Sequence, residues 1–99
     1  MLLPLRFRVL TELAMNGDQD SATILESLRE EYGTERQFKK KMIDNHLQSL
    51  RAVGLVTDIT VELDAEGQLI RTVGITDAGR QLLKYLPKDW RHRIDSANK

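Results

Sequence analysis

Apolar residues recur every three or four positions through the first third of the chain, which predicts amphipathic helices. The first helix begins at Pro4, whose missing N–H suits a first turn, and ends at the Asn16-Gly17 pair. The second helix follows Asp20 or Ser21, either of which can cap it, and ends at Gly33. Their apolar stripes consist of Leu5, Val9, Leu10 and Leu13, and of Ile24, Leu25, Leu28 and Tyr32.

A third and longer helix is predicted from Thr34 to Val53. Thr34 followed by Gln37 matches a capping box, in which an oxygen of each side chain accepts a hydrogen bond from a backbone N–H at the helix start. Gly54 suits the left-handed position that commonly follows a helix. The buried stripe is expected to contain Ile43, Leu47 and Leu50, with His46 and Val53 beside it.

After Gly54 the apolar pattern changes to a period of two, which predicts a β-hairpin. Apolar and polar residues alternate over 59–63, the sequence DAEG at 64–67 forms the turn, and QLIRTVGIT returns over 68–76. Thr76 then caps a fourth helix that ends before Pro87. Its inward positions are expected to be Ala78, Leu82, Leu83 and Leu86.

The element order predicts an α+β fold that is mainly α, with one domain over residues 1–86 and a polar tail over residues 87–99 that has room for a short helix. The 99 residues suffice for about one domain, and 40% hydrophobic with 30% charged residues is typical of soluble proteins. The absence of cysteine argues against disulfides and cysteine-ligated zinc. Pro4, Arg6 and Arg8 interrupt the apolar start, so we expect no signal segment, no membrane partner and a cytoplasmic location.

Charges balance overall but are unevenly distributed. The chain has 15 basic and 15 acidic residues. Residues 35–53 hold five basic and two acidic residues, and residues 84–99 hold the same numbers. Between them, residues 57–73 hold one basic and four acidic residues. The predicted third helix is therefore basic, and the predicted hairpin is acidic.

Two segments resemble parts of winged-helix regulators. HLQSLRAVGLV, residues 46–56, resembles the end of the recognition helix and the first wing strand of MarR-like, PadR-like and ArsR-like proteins. GITDAGRQLL, residues 74–83, resembles the segment that leaves the wing in MarR-like and PadR-like proteins. The resemblance covers roughly residues 5–86. It implies a winged helix-turn-helix fold of three helices, a β-hairpin wing and a closing C-terminal helix, with the third helix in a DNA major groove.

The exposed face of the third helix is the candidate DNA-binding surface. Lysine can neutralise phosphates, and asparagine or glutamine can bind adenine. The candidate residues are Arg36, Gln37, Lys40, Lys41, Asp44, Asn45 and Gln48, together with Arg71 on the hairpin. Asp44 either accepts from a cytosine amino group, pairs with Lys40 or Lys41, or marks a face that never meets DNA. The helical wheel places Lys39 toward the buried side, so we expect the first turn to lie clear of the core.

Two functions remain open at this point. One is a transcriptional regulator that binds double-stranded DNA as a homodimer, paired through the first helix, Phe38 or the tail, with half-sites about one helical turn apart. The other is an interaction module that binds a protein partner and not DNA. The protein-binding function is suggested by the zero net charge, by Asp44 and by the acidic turn at 64–67. Phosphates would repel these carboxylates.

The sequence offers little for catalysis or for a bound group. It has no nucleophile elbow and no phosphate-binding glycine loop, so we expect neither an enzyme nor a cofactor. Asp89, His92 and Asp95 have a spacing that could bind a metal, but a charged terminal helix explains them more simply, and we expect no metal. Trp90 is expected to dock on the domain or on a second subunit, and Ile94 would join it.

Overall fold

The structure is a computed structural model that describes residues 3–35 and 38–98. Its helices and strands are, in order, α1 (Leu5–Asn16), α2 (Ser21–Tyr32), α3 (Lys40–Ala52), β1 (Val56–Leu63), β2 (Leu69–Ile75), α4 (Asp77–Leu82) and α5 (Lys88–Ala97), with a 3-10 turn at Leu83–Tyr85. The mainly helical α+β class and the order of elements are as predicted. In the part of the chain that the structure describes, no helix combines the length and apolar character needed to cross a membrane.

The first two helices have the predicted bounds because local signals set both ends. Gly17 follows α1 with a φ of 87°, a left-handed value that glycine adopts without strain. Asp20 is the residue that caps α2, since its carboxylate accepts from the Thr23 N–H at 3.0 Å. Chain direction changes between the two helices within the short polar segment that joins them.

The predicted start of the third helix at Thr34 is wrong. The backbone turns there instead, because the Glu35 N–H donates to the Tyr32 carbonyl at 3.0 Å and the Phe38 N–H donates to the Glu35 carbonyl at 3.2 Å. The predicted capping partner Gln37 lies outside the described residues. Helix α3 begins only at Lys40 and has 13 residues.

This later start corrects the placement of Lys39. The residue occupies the position before the first helical residue, with an extended backbone (φ −136°, ψ 160°), so the helical wheel does not apply to it. Its side chain is exposed and does not face the core as the wheel predicted. The start of α3 was expected to lie clear of the core because the wheel placed Lys39 on the buried side. The structure gives a different reason, which is that residue 39 is not helical.

The end of α3 has the hydrogen bonds of a Schellman motif. The Leu55 N–H donates to the Leu50 carbonyl at 2.9 Å, and the Gly54 N–H donates to the Arg51 carbonyl at 3.1 Å. Gly54 has a φ of 80°, which confirms its predicted role. Val53 was expected beside the buried stripe, but it is 69% exposed because it lies in the turn that leaves the helix.

The turn of the hairpin is closed by Asp64. Its Oδ1 atom accepts from the backbone N–H groups of Glu66 at 2.9 Å and Gln68 at 2.8 Å, and Gly67 adopts a φ of 76°. The predicted turn at 64–67 is confirmed. The Asp64 carboxylate therefore has a structural role, because it stabilises the turn of the hairpin.

The two strands contain a β-bulge that changes which face each residue occupies. Near the tip Val61 lies opposite Arg71, whereas nearer the body Asp58 lies opposite Val73. These pairings differ by one residue in register, so Ile59 is the extra residue of β1. As a result Asp58 and Arg71 lie on the same face of the hairpin.

The core lies where the first three helices meet the base of the hairpin. Its buried members are Val9, Leu10, Leu13, Ala14, Ile24, Leu28, Tyr32, Ile43, Leu47, Leu50, Val56, Val73, Leu83 and Ile94. The predicted stripe of α3 is thus confirmed. Ala78, which was expected to face inward, is exposed, and its neighbour Gly79 is buried instead because α4 packs its glycine against the Leu55 carbonyl.

A buried arginine joins three helices. Arg8 donates to Glu31 of α2 at 2.9 Å and lies 3.4 Å from Glu12. Its guanidinium carbon also lies 5.1 Å from the ring centre of Trp90, and the guanidinium carbon of Arg93 lies 3.9 Å from the same ring centre. Trp90 is only 5% exposed, so α5 docks on α1 within one chain.

Candidate nucleic-acid interface

Helix α3 has one buried face and one exposed face. Ile43, Leu47 and Leu50 anchor it to the core, and this fixes the orientation of the opposite side. That side carries the exposed side chains of Lys40, Lys41, Asp44, Asn45 and Gln48. Five of the predicted site residues thus lie on the solvent face of one helix.

The start of α3 concentrates positive charge. Lys39, Lys40 and Lys41 all lie at the end of the helix where the backbone dipole is itself positive, an arrangement that repels cations and attracts anions. Of the side chains that the structure describes, none caps the helix at Lys39. This end is therefore unfavourable for an isolated helix and well suited to an anionic partner.

Asp44 pairs with one of these lysines. Its Oδ2 atom lies 3.3 Å from the Lys40 Nζ atom, one helical turn away. The two side chains are 57% and 49% exposed, so this pair contributes little to stability and is easily broken. Of the three roles considered for Asp44, the geometry supports the local lysine partner.

The histidines add no positive charge to this surface. Burial lowers the pKa of His46 below its usual 6.5, and the charge of Arg6 lowers the same pKa further, so His46 is neutral at pH 7. His92 is exposed on α5. Within residues 3–35 and 38–98 no group of histidines and carboxylates could hold a metal ion, and this includes His92 with Asp89 and Asp95.

A cleft of about 670 Å³ separates α3 from the wing. Its walls include three basic and three acidic side chains, which are Lys40, Arg51 and Arg71, and Asp20, Asp44 and Asp64. Hydrogen bonding from Thr23 lowers the pKa of the Asp20 carboxyl below its usual 3.8, so this residue stays ionised near pH 7. The cleft is consequently polar but carries no excess of either charge.

One carboxylate connects α3 to the wing. Asp58 Oδ1 accepts from Arg51 Nε at 2.9 Å and lies 2.8 Å from Arg51 Nη2. Asp58 Oδ2 accepts from Arg71 Nη1 at 3.0 Å. We call this arrangement of Asp58 with the two arginines the Asp58 bridge. Sequence reasoning missed it, since Arg51 was counted only among the basic residues of 35–53 and Asp58 only among the acidic residues of 57–73.

The structure brings some of the predicted site residues together and separates others. Lys40, Asp44, Gln48 and Arg71 all line the cleft, although Arg71 comes from the wing. Lys41 and Asn45 are exposed on α3 and are not among the residues that line it. Arg36 and Gln37 lie outside the described residues, so their predicted roles stay predictions.

Among known proteins, this chain is similar to several solved structures. No protein-family model and no curated protein sequence matches the chain significantly. A candidate transcriptional regulator from Thermoplasma acidophilum is similar with a TM-score of 0.65 and 19% identity, over 95% of this chain and 86% of that one. A PadR-like transcriptional regulator from Bacillus cereus has a TM-score of 0.66 and 17% identity, over 95% and 87% of the two chains. A PadR family transcription regulator from Clostridium difficile has a TM-score of 0.64 and 14% identity, over 96% of each.

These likenesses extend over nearly the whole chain, so they include the hairpin and α5 as well as the three-helix core. At sequence identities of 14% to 19%, these similarities show a shared fold alone. Helix order, hairpin and structural neighbours therefore agree that this chain has a winged-helix fold of the kind seen in PadR-like transcriptional regulators.

Proposed function

We propose that this protein is a transcriptional regulator that binds double-stranded DNA through α3. The observation that carries the proposal is the uncapped, basic start of this helix, where Lys39, Lys40 and Lys41 meet the positive end of the helix dipole. Such an arrangement costs stability in the free protein. A polyanion that lies against it offsets this cost. The three structural neighbours described above are named as regulators of transcription.

The roles of the individual side chains follow from their chemistry. Lys40 and Lys41 would neutralise phosphates, and each such contact releases counterions. Asn45 and Gln48 lie further along the same exposed face, where each can form a bidentate pair with adenine in the major groove. Arg36, Gln37 and Arg71 complete the proposed surface, with Arg71 reaching from the wing.

We expect the protein to act as a homodimer, since two copies of α3 about 34 Å apart would reach successive major grooves on one face of DNA. Two of the surfaces first considered for pairing are used within the chain. Phe38 stacks on Tyr32 with ring centres 6.3 Å apart, and Trp90 packs on Arg8. A second copy would therefore contact α1 or other side chains of these two segments, and light scattering with and without DNA measures whether the protein pairs.

A titration against mixed-sequence duplex DNA at two salt concentrations tests the proposal. We expect binding that weakens with salt, and we expect Lys40→Ala with Lys41→Ala to reduce the slope of log affinity against log salt by about 1.8, or about 0.9 per lost phosphate contact. Lys84→Ala with Lys88→Ala is the matched control, because it removes the same charge from exposed positions outside the cleft.

Two results would sink the idea. One is the absence of binding by the wild-type protein at both salt concentrations. The other is an equal loss of affinity in both double variants, because that would assign the effect to net charge alone and not to the start of α3.

A second function has support from the wing. Its strands expose four large apolar side chains, half to two-thirds accessible, next to the acidic turn; they are Ile59, Val61, Leu63 and Leu69. Exposed apolar side chains beside carboxylates favour a protein partner over phosphate. Affinity purification from the native host separates the two functions, since one stoichiometric protein without nucleic acid favours the interaction module, and DNA alone counts against it.

A further inference from the structure

We infer that Asp58 suppresses non-specific DNA binding by occupying Arg51 and Arg71, the two arginines that line the cleft between α3 and the wing. The inference rests on the proposed DNA-binding function and deepens it. Both arginines lie where phosphates would approach α3 and the wing, and both donate to one carboxylate. Asp58 acts through the arginines and is a positioning residue.

The geometry of the Asp58 bridge is specific. Arg51 presents two nitrogens to a single oxygen, at 2.9 and 2.8 Å, while Arg71 takes the other oxygen at 3.0 Å. Both carboxylate oxygens thus have a charged donor. A carboxylate and a phosphate oxygen accept the same hydrogen bonds from a guanidinium, so a phosphate must compete with Asp58 for each arginine.

The β-bulge makes this arrangement possible. If the register at the wing tip continued to the base, Asp58 would lie opposite Gly74 and its side chain would point to the face away from Arg71. The extra residue Ile59 shifts the pairing so that Asp58 lies opposite Val73, on the face of Arg71. A bulge of this kind re-aims a side chain, and here it re-aims a carboxylate toward two cations.

The bridge is accessible enough to open. Side-chain exposure is 26% for Asp58, 32% for Arg51 and 48% for Arg71, so water and counterions screen the pairs and exchange is not blocked by burial. A random duplex offers phosphates with no added contact to favour the exchange. The bridge therefore keeps both arginines from contributing to sequence-independent affinity.

Asp58→Asn tests this inference on a random-sequence duplex. The amide keeps the shape of the side chain but removes the charge that competes with phosphate. Two released arginines steepen the slope of log affinity against log salt by about 1.8, which makes affinity fall about tenfold more than in wild type between about 50 and about 200 mM salt. We therefore expect tighter binding at low salt and a steeper slope.

Glu62→Gln is the matched control. Glu62 lies on the same strand, is exposed, and within the described ranges makes neither a salt bridge nor a side-chain hydrogen bond. Glu62→Gln changes the net charge by the same amount as Asp58→Asn but releases no arginine. The salt slope of Glu62→Gln should therefore equal that of the wild-type protein. Arg71→Gln in the Asp58→Asn background should remove about half of the added slope.

The outcomes separate the inference from the proposed function. If the wild-type protein binds DNA but Asp58→Asn and Glu62→Gln have the same affinity and salt slope, the inference is wrong and the proposed function stands. The same holds if Asp58→Asn lowers the affinity. Failure of both wild type and Asp58→Asn to bind at any salt overturns the proposed function and the inference with it. If Asp58→Asn does not fold, Arg51→Gln in the wild-type background decides, since an arginine occupied by Asp58 leaves the slope nearly unchanged when it is removed. A loss of about 0.9 in the slope would contradict the inference.

Discussion

At the scale of single residues, Gly79 shows how tightly α4 packs against the turn that leaves α3. A Cβ atom at this position would meet the Leu55 carbonyl oxygen and would lie 2.7 Å from Ile75 Cγ1. A backbone oxygen cannot rotate away as a side-chain atom can. The glycine is therefore required by the close approach of the Leu55 carbonyl. The sequence indicated only that residues 74–83 resemble a segment of winged-helix regulators.

We expect Gly79→Ala to lower the free energy of unfolding by about 1–3 kcal/mol, the usual cost of forcing a methyl group into a packed site. Urea denaturation followed by circular dichroism measures the change. Ala78→Ser is the control, since residue 78 is exposed and its substitution should stay within about 0.5 kcal/mol. Equal stability of the two variants would show that α4 does not press on Leu55.

At the scale of elements, the start of α3 carries a testable cost. Lys39 occupies the capping position, where lysine offers no acceptor for the free N–H groups of the first turn. Lys39→Ser should stabilise the protein by about 1 kcal/mol, as measured by the urea midpoint. Lys41→Ser removes the same charge without supplying a cap, so equal stabilisation by both variants would identify charge repulsion as the cause instead.

The elements that sequence predicted well are those with local signals. Asp20, Gly33, Gly54 and Thr76 each end or begin a helix through hydrogen bonds within a few residues, so their roles were predictable. Thr34 also had a matching local signal, yet the chain turns after Tyr32 and Phe38 stacks on its ring. Tertiary packing overrode the capping pattern there.

The missed features depend on contacts between distant parts of the chain. The pairing of Arg8 with Glu31 spans 23 positions, so Arg8 appeared in the sequence only as an interruption of an apolar run. The Asp58 bridge depends on the register of two strands, and one extra residue in β1 decides which face Asp58 occupies. No pattern within a single strand contains that information. The exposed face of α3 was predictable, whereas its electrostatic partners were not.

At the scale of the whole molecule, the docking of α5 decides whether residues 87–99 are a tail or part of the domain. Ile94 lies in the core and the Trp90 ring packs against Arg8 of α1, so the helix is held by apolar burial and by a cation–π contact. Burial of an indole in this manner removes a large apolar area from water. We therefore expect α5 to unfold together with the three-helix core.

Trp90 is the only tryptophan of the chain, so its fluorescence reports on α5 directly. The urea transition followed by Trp90 emission should coincide with the transition followed by far-ultraviolet circular dichroism, as for a single cooperative unit. Ile94→Ala should shift both curves to lower urea together, and Arg91→Ala, an exposed neighbour, should shift neither. A fluorescence change at lower urea than the loss of helix would mean that α5 detaches first.

The charge balance of the cleft has a consequence for the speed of association. In a chain with zero net charge, the pairing of Arg51 and Arg71 with one carboxylate weakens the positive field over the cleft, and salt screens what remains beyond about one Debye length. Proteins without such a field meet their partners at about 10⁵–10⁶ M⁻¹s⁻¹, far below the rates of electrostatically steered pairs. Added salt would then act mainly on how long this protein stays on DNA, and little on how quickly it arrives.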